Sequence, residues 1–77
     1  MIVRLLLWNL GDSKTTIDEL RLRLPASPNR TWISDEISER FGAVETWEDD
    51  EPGEFPEELL GLIGRAPDVA EIFQVED

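Results

Sequence analysis

The sequence contains no cysteine, no histidine and no tyrosine among its 77 residues. These absences exclude disulfide bonds, zinc sites built on cysteine or histidine, thiol nucleophiles, catalytic histidines and haem held by either residue type. Basic residues are also scarce, 7 against 18 acidic residues, for a formal net charge of -11. Because such a surface repels phosphate groups, we expect no direct binding to nucleic acid.

The sequence also lacks a long hydrophobic run. The apolar start, residues 1–10, is far shorter than the roughly 20 residues that a membrane helix needs, and its only basic residue, Arg4, lies inside the run. Since no small-residue cleavage site follows, we expect neither a signal peptide nor a membrane anchor, and therefore a cytoplasmic protein. The length predicts a single domain over residues 1–77.

The charge is concentrated in the second half of the chain. Residues 1–40 hold six bases and six acids, whereas residues 41–77 hold twelve acids and only Arg65. The densest run, residues 48–51, is most simply a solvated loop, and the alternatives are a weak site for a hard cation or a docking surface for a basic partner. The run lacks the ligand spacing and central glycine of a calcium loop, so we expect no metal site.

Apolar patterns and turn residues predict an α+β fold. Strands are predicted at residues 2–10, 30–34, 41–47 and 69–75, with helices from Thr16 to Arg23 and from Pro56 to Ile63. Residues 35–40 fit either a helical turn or the connection of a hairpin, and Gly42 permits a bulge or a close backbone approach. The order βαββαβ is that of a ferredoxin-like domain, a four-stranded antiparallel sheet with both helices on one face.

The first strand is apolar on both of its sides. Val3, Leu5 and Leu7 point to one side, and Ile2, Leu6, Trp8 and Leu10 point to the other, together with Arg4. Two helices cover only one face of a sheet, so we expect the side with Leu6, Trp8 and Leu10 to be left as an apolar patch. A second copy packed sheet against sheet would cover it, which predicts a two-fold homodimer.

Arg4 is the charged exception in this strand, and two interpretations stay open. In the first, its side chain extends to solvent near the start of the strand and pairs with Glu45 or Glu71 on neighbouring strands. In the second, it is a buried guanidinium that binds an anionic ligand in a cleft.

The central hairpin and the last strand resemble a known family. Residues 32–49 place Trp32, Glu36 and Gly42 before a strand, an aromatic residue and an aspartate, as in the hairpin of the YdhR-like monooxygenases. Residues 69–75 resemble the Val-x-x-x-Phe-x-Val closing strand of that group, which belongs to the dimeric α/β barrel superfamily. The resemblance implies a ferredoxin-like protomer that dimerises through its sheet, with a ligand cleft between sheet and helices.

The resemblance also implies a candidate site and activity. Cofactor-free oxygenation would require the protein to orient an electron-rich substrate and to stabilise an anion, with no cofactor and no metal. The residues available for this are Arg4, Trp8, Asn9, Trp32, Ser34 and Trp47. The alternative is structural: the tryptophans pack in the core or an interface, and Asn9 is a turn residue at a strand end.

Two classes of function therefore stand side by side. The first is a small homodimeric barrel that binds, and in its enzymatic form oxidises, a small apolar or aromatic molecule. The second is a non-enzymatic interaction protein whose acidic half docks onto a basic protein partner, in the extreme as a DNA mimic. An accessory subunit without a ligand explains the absence of a nucleophile beside a base equally well.

Overall fold

The computed structural model describes residues 1–11, 15–48 and 52–76. Most of the acidic run for which a solvated loop, a cation site or a docking surface was predicted, residues 49–51, lies outside the described residues. The elements are β1 (Ile2–Asn9), α1 (Ile17–Arg23), β2 (Arg30–Asp35), β3 (Arg40–Trp47), α2 (Glu57–Ile63) and β4 (Val69–Gln74). The sheet order is β2-β3-β1-β4, and all neighbouring strands are antiparallel. This confirms the predicted ferredoxin-like fold.

The helix ends follow from local sequence. At the start of α1, the Thr16 hydroxyl accepts a hydrogen bond from the backbone N–H of Glu19 at 3.2 Å, as the capping pattern predicts. α2 begins directly after Pro56 and ends at Gly64, whose φ of 86° is the left-handed conformation that favours glycine. Each helix has only seven residues. Because helices this short are not stable alone, their stability depends on packing against the sheet.

Residues 36–39 form the turn between β2 and β3, which selects the hairpin alternative for this segment. Asp35 organises the turn, because its carboxylate accepts from the Ser38 backbone N–H at 3.2 Å and from Arg40 Nη2 at 2.8 Å. The hydrogen bond from the Arg40 side chain, followed by that from the Ser38 backbone, holds the pKa of Asp35 below its usual value.

Gly42 lies where β3 comes closest to β1. A Cβ atom at this position would lie 1.7 Å from the backbone oxygen of Leu6 and 3.0 Å from Cα of Leu7. The β1–β3 register is continuous through this point, so the structure selects the close approach rather than a bulge.

The prediction of which side of β1 faces solvent was wrong. Leu6, Trp8 and Leu10 are buried in one core cluster with Leu20 of α1 and Leu59 of α2. These three residues therefore face the helices. Arg4 lies on the same side and is buried as well, and its side chain donates to Glu45 of β3.

The sheet surface on the side away from the helices is here called the open sheet face. The strand register places the odd-numbered residues of β1 and β4 on this side. Its apolar members are Val3, Leu5, Leu7, Ile33, Val44, Val69 and Phe73.

The helices in the described ranges lack the length and the apolar composition of a membrane-spanning helix.

Candidate functional site

A buried cluster of charges crosses three adjacent strands on the helix side of the sheet. Glu45 of β3 lies opposite Arg4 of β1 and opposite Arg30 of β2 in the strand register. Arg4 Nε donates to Glu45 Oε1 at 2.9 Å, and Arg30 Nε donates to Glu45 Oε2 at 3.0 Å. Glu45 is fully buried and Arg4 is only 4% exposed. One carboxylate thus serves two guanidinium groups, an arrangement called here the Arg4–Glu45–Arg30 cluster.

Arg4 also fixes the segment that leads into α2. Its Nη1 donates to the Gly53 carbonyl at 2.6 Å, and its Nη2 donates to the Glu54 carbonyl at 3.1 Å. The guanidinium carbon lies 4.9 Å from the ring centroid of Trp47 and 5.0 Å from that of Phe55, which adds cation–π attraction. Arg4 therefore joins the sheet to the segment before α2.

These contacts test the first interpretation of Arg4. Extension to solvent is wrong, because the side chain is buried. The predicted partner Glu45 is confirmed, whereas Glu71 lies on the open sheet face, opposite Leu5. Arg4 is buried by contacts within the protein, and these contacts engage all three nitrogen atoms of its side chain.

A cavity of about 510 Å³ lies beside Arg4 and is called here the Arg4 cavity. Its lining residues are Arg4, Gly53, Glu54, Phe55, Glu57 and Leu60. The apolar walls come from Phe55 and Leu60, and the two carboxylates lie at exposed positions. Its volume falls within the range of small-molecule sites, roughly 300–1,000 Å³.

The other predicted tryptophans have structural contacts. The indole N–H of the fully buried Trp8 donates to the Arg65 carbonyl at 2.9 Å. The indole N–H of Trp32 donates to the Pro25 carbonyl at 3.1 Å, and its ring stacks on Phe41 with centroids 6.1 Å apart. The hydrogen bond of Trp8 satisfies a polar atom that burial would otherwise leave unpaired, whereas that of Trp32 lies at an exposed position.

Ser34 and Asn9 lie apart from the Arg4 cavity. Ser34 is exposed, and its hydroxyl accepts from Arg21 Nη2 at 2.8 Å. Asn9 ends β1, where its backbone N–H donates to Asp68 Oδ2 at 2.7 Å and its carbonyl accepts from Arg65. Of the six predicted site residues, Arg4 and Trp47 are in contact with each other at this end of the sheet.

Sequence reasoning missed Phe55 and Leu60 as lining residues and the double role of Glu45. A usable signal for Glu45 was present, because it shares the strand parity of Phe41 and Ala43, two small or aromatic residues suited to a core. A lone carboxylate on an apolar strand face indicates a buried partner of opposite charge. Phe55 and Leu60 gave no such signal, since their position depends on the segment that Arg4 holds.

A second cavity of about 420 Å³ lies at the opposite end of β1. It is lined by Leu10, Gly11, Thr15, Thr16, Ile17, Asp18, Glu36 and Glu39. Within the part of the chain that the structure describes, no group of three or more acidic side chains could hold a metal ion.

The surface charge is shaped by internal ion pairing. Arg21 pairs with Asp18 and Glu36, and Arg65 pairs with Asp68 at 3.1 Å. Arg40 pairs with Asp35, and Arg4 and Arg30 share Glu45. Six exposed carboxylates of the second half enter none of these pairs: those of Glu48, Glu54, Glu57, Glu58, Glu71 and Glu76. The second half of the chain therefore presents negative charge that the arginines do not neutralise.

No protein-family model matches this chain, and a search of the curated proteins finds no match either.

Proposed function

We propose that the chain is a non-enzymatic interaction protein that docks onto a basic protein partner. The observation that carries this proposal is the ion pairing of the arginines. Five of them bind carboxylates of the same chain, so they do not offset the exposed acids after residue 47. A net charge of -11 concentrated in this way attracts positively charged surfaces and speeds their association.

The contacts of the predicted site residues support the non-enzymatic part of this proposal. The indole N–H groups of Trp8 and Trp32 donate to backbone carbonyls, and Arg4 donates to Glu45 and to two carbonyls. These groups act in holding the fold together. The proposed location is the cytoplasm.

The test is affinity capture from a lysate of the native host at low ionic strength, followed by a direct binding measurement on the retained basic protein. The variant Glu57→Gln/Glu58→Gln removes two exposed charges of the second half. The matched control removes two exposed charges of the first half that enter none of the ion pairs above: Glu19→Gln/Glu39→Gln.

We expect the wild type to retain a basic protein that higher salt releases. The second-half variant should bind this protein more weakly than the first-half control does. Equal binding by the two variants, or no basic partner on the wild type at low ionic strength, would contradict the proposal.

We further propose that the active form is a homodimer that buries the open sheet face. Strands about 4.8 Å apart and about 20 Å long give four strands a face of roughly 400 Å² in projection. Two such faces together lose at least about 800 Å², which is below the roughly 1,200–2,000 Å² of stable specific interfaces and corresponds to a weak, transient one. The proposed occupant of the open sheet face is therefore a second copy of this chain, and we expect the dimer to form at micromolar protein concentrations.

Leu5 lies at the centre of the open sheet face, between Val44 and Glu71. Leu5→Lys should prevent dimerisation while the fold is kept, because the new ammonium can pair with Glu71 across the strands. Leu22→Lys is the matched control, since Leu22 is 86% exposed on α1. Sedimentation should show the wild type and Leu22→Lys self-associating and Leu5→Lys monomeric. A wild type that stays monomeric at high concentration would overturn this part of the proposal.

The Arg4 cavity supports a second candidate function, the binding of a small apolar or aromatic molecule. Its volume and its walls of Phe55 and Leu60 suit such a ligand. The resemblance to the YdhR-like group extends this candidate to a cofactor-independent monooxygenase of the dimeric α/β barrel type, with the ligand as its electron-rich substrate.

Trp47 offers a signal for this candidate, because its ring contacts Arg4 at the cavity. A panel of aromatic ligands should shift the tryptophan emission of the wild type and leave that of Trp47→Phe unchanged. Leu60→Gln should weaken the response, and Leu22→Gln should not. Unchanged wild-type emission across the panel would remove the support for this candidate.

A further inference from the structure

β4 is an edge strand that is exposed on both of its faces. Ile72, on the helix side, is 60% exposed, and Phe73, on the open sheet face, is 51% exposed. β4 pairs only with β1 in the sheet order, so its other edge has no strand beside it in the described chain. An unpaired edge flanked by exposed apolar side chains is a template for another strand.

The hydrogen bonding of the β1–β4 ladder identifies the groups on this free edge. The Val75 N–H donates to the Met1 carbonyl at 2.9 Å, and the register pairs Phe73 with Val3 and Glu71 with Leu5. In an antiparallel ladder, hydrogen-bonded pairs alternate with non-hydrogen-bonded pairs. The odd-numbered residues of β4 therefore point their N–H and C=O groups towards β1. The backbone groups of the even-numbered residues Ala70, Ile72 and Gln74 point outward.

The charge along this edge indicates what it accepts. Residues 69–76 contain Glu71 and Glu76 and no basic residue, and both carboxylates are exposed. Pairing with β4 of a second copy would bring acidic side chains against acidic side chains along this edge, whereas a basic segment is attracted. The other edge strand, β2, carries Arg30 and is joined to Arg21 through Ser34, so basic side chains accompany it.

We infer that β4 binds an extended basic segment of a partner protein as a fifth strand of the sheet. The inference rests on the proposed docking function and names the surface and the form of the partner. Ala70, Ile72 and Gln74 supply the backbone hydrogen bonds of this added strand. Side chains of a strand alternate between the faces, so the segment places a lysine or arginine beside Glu71 and an apolar residue beside Ile72.

The experiment uses the full chain and a blocked heptapeptide in which lysine and valine alternate. A second heptapeptide replaces valine by proline, which keeps the charge and removes the backbone donors that a strand needs. Binding is measured by titration, and amide hydrogen exchange is followed by NMR. The lysine–valine peptide should slow the exchange of the Ala70, Ile72 and Gln74 amides. The lysine–proline peptide should bind more weakly by a factor of roughly ten or more.

Two charge variants locate the contact. Glu71→Gln should weaken the binding of the lysine–valine peptide about two- to fivefold, as expected for a cross-strand ion pair. Glu58→Gln makes the same change of charge on the exposed surface of α2 and should have little effect, because salt screens distant charges. Equal effects of the two substitutions would overturn a contact at Glu71.

The outcomes separate this inference from the docking function on which it rests. Equal binding of both peptides, without protection of the three amides, would overturn strand addition and leave electrostatic docking intact. Failure of both peptides at low ionic strength would count against both. In Leu5→Lys, whose open sheet face is expected not to dimerise, protection of the three amides that rises with protein concentration in the absence of peptide would overturn the inference, because a second copy would then occupy the edge.

Discussion

Glu45→Gln is the most informative test of how the fold is held together. Glu45 is fully buried and accepts hydrogen bonds from Arg4 and Arg30, one on each carboxylate oxygen. The substitution keeps the shape of the side chain, removes its charge and places an amide NH₂ near a guanidinium that has no acceptor lone pair. It therefore leaves two cations on the helix side of the sheet without their shared anion.

The expected cost follows from what each arginine keeps. Breaking a buried ion pair by removing one partner costs about 3–5 kcal/mol. Arg4 retains the carbonyls of Gly53 and Glu54, and the side chain of Arg30 is 17% exposed and can regain water. The loss should therefore lie near the lower end, about 3 kcal/mol. A chain of this length has a total stability of only about 4–12 kcal/mol, so this is a large fraction.

Urea denaturation followed by tryptophan fluorescence measures this loss. With a slope of about 1–1.5 kcal/mol per molar urea, the midpoint of Glu45→Gln should fall by about 2–3 M. Glu58→Gln is the control, because Glu58 is exposed on α2 and its loss should change stability by less than about 0.5 kcal/mol. Coincident midpoints for Glu45→Gln and the wild type would refute the assigned role of the Arg4–Glu45–Arg30 cluster.

Four further substitutions test the local structure. Gly42→Ala should lower the free energy of unfolding, measured in urea, by about 3 kcal/mol or more, because the added Cβ meets the β1 backbone. Gly61→Ala should raise the free energy of unfolding by about 0.5–1 kcal/mol, because nothing lies within 4 Å of the added Cβ in α2. Thr16→Ala should cost about 1 kcal/mol in the same assay through loss of the α1 cap. The lowered pKa of Asp35 means that its carboxylate stabilises the fold above the unfolded value, near 3.8. Asp35→Asn should therefore lower the melting temperature at pH 7, and the difference should vanish as the pH falls through the lowered pKa; a constant difference would contradict it.

The order of elements was predictable because each boundary has a local cause. Thr16 caps α1, and Gly64 ends α2 in the left-handed conformation that few other residues adopt. The strands follow from short runs of apolar and β-branched residues between turn residues. Residues 35–40 could not be assigned from local sequence alone, since the deciding contact is the pairing of Asp35 with Arg40 across the turn.

The orientation of β1 was not predictable from its own sequence. A strand that is apolar on both sides gives no parity signal for the helix side. The deciding interaction joins Arg4 to a residue 41 positions away. Buried charges of this kind depend on strand register, which becomes evident only when the strands are paired.

The candidate site was predictable only in part for the same reason. Arg4 and Trp47 were named and are in contact, but Phe55 reaches Arg4 from the segment before α2. Nothing in the local sequence of that segment indicates that the Gly53 and Glu54 carbonyls accept from β1. The free edge of β4 likewise follows from the sheet order rather than from the strand's composition.

The central claim is that carboxylates left unneutralised after residue 47 attract a basic partner. The most direct measurement is the affinity of the wild-type chain for the lysine–valine heptapeptide over a series of salt concentrations. We expect saturable binding at low salt that weakens by roughly tenfold or more as ionic strength approaches 0.5 M. Binding that does not change with salt, or no binding at the lowest salt, would contradict it.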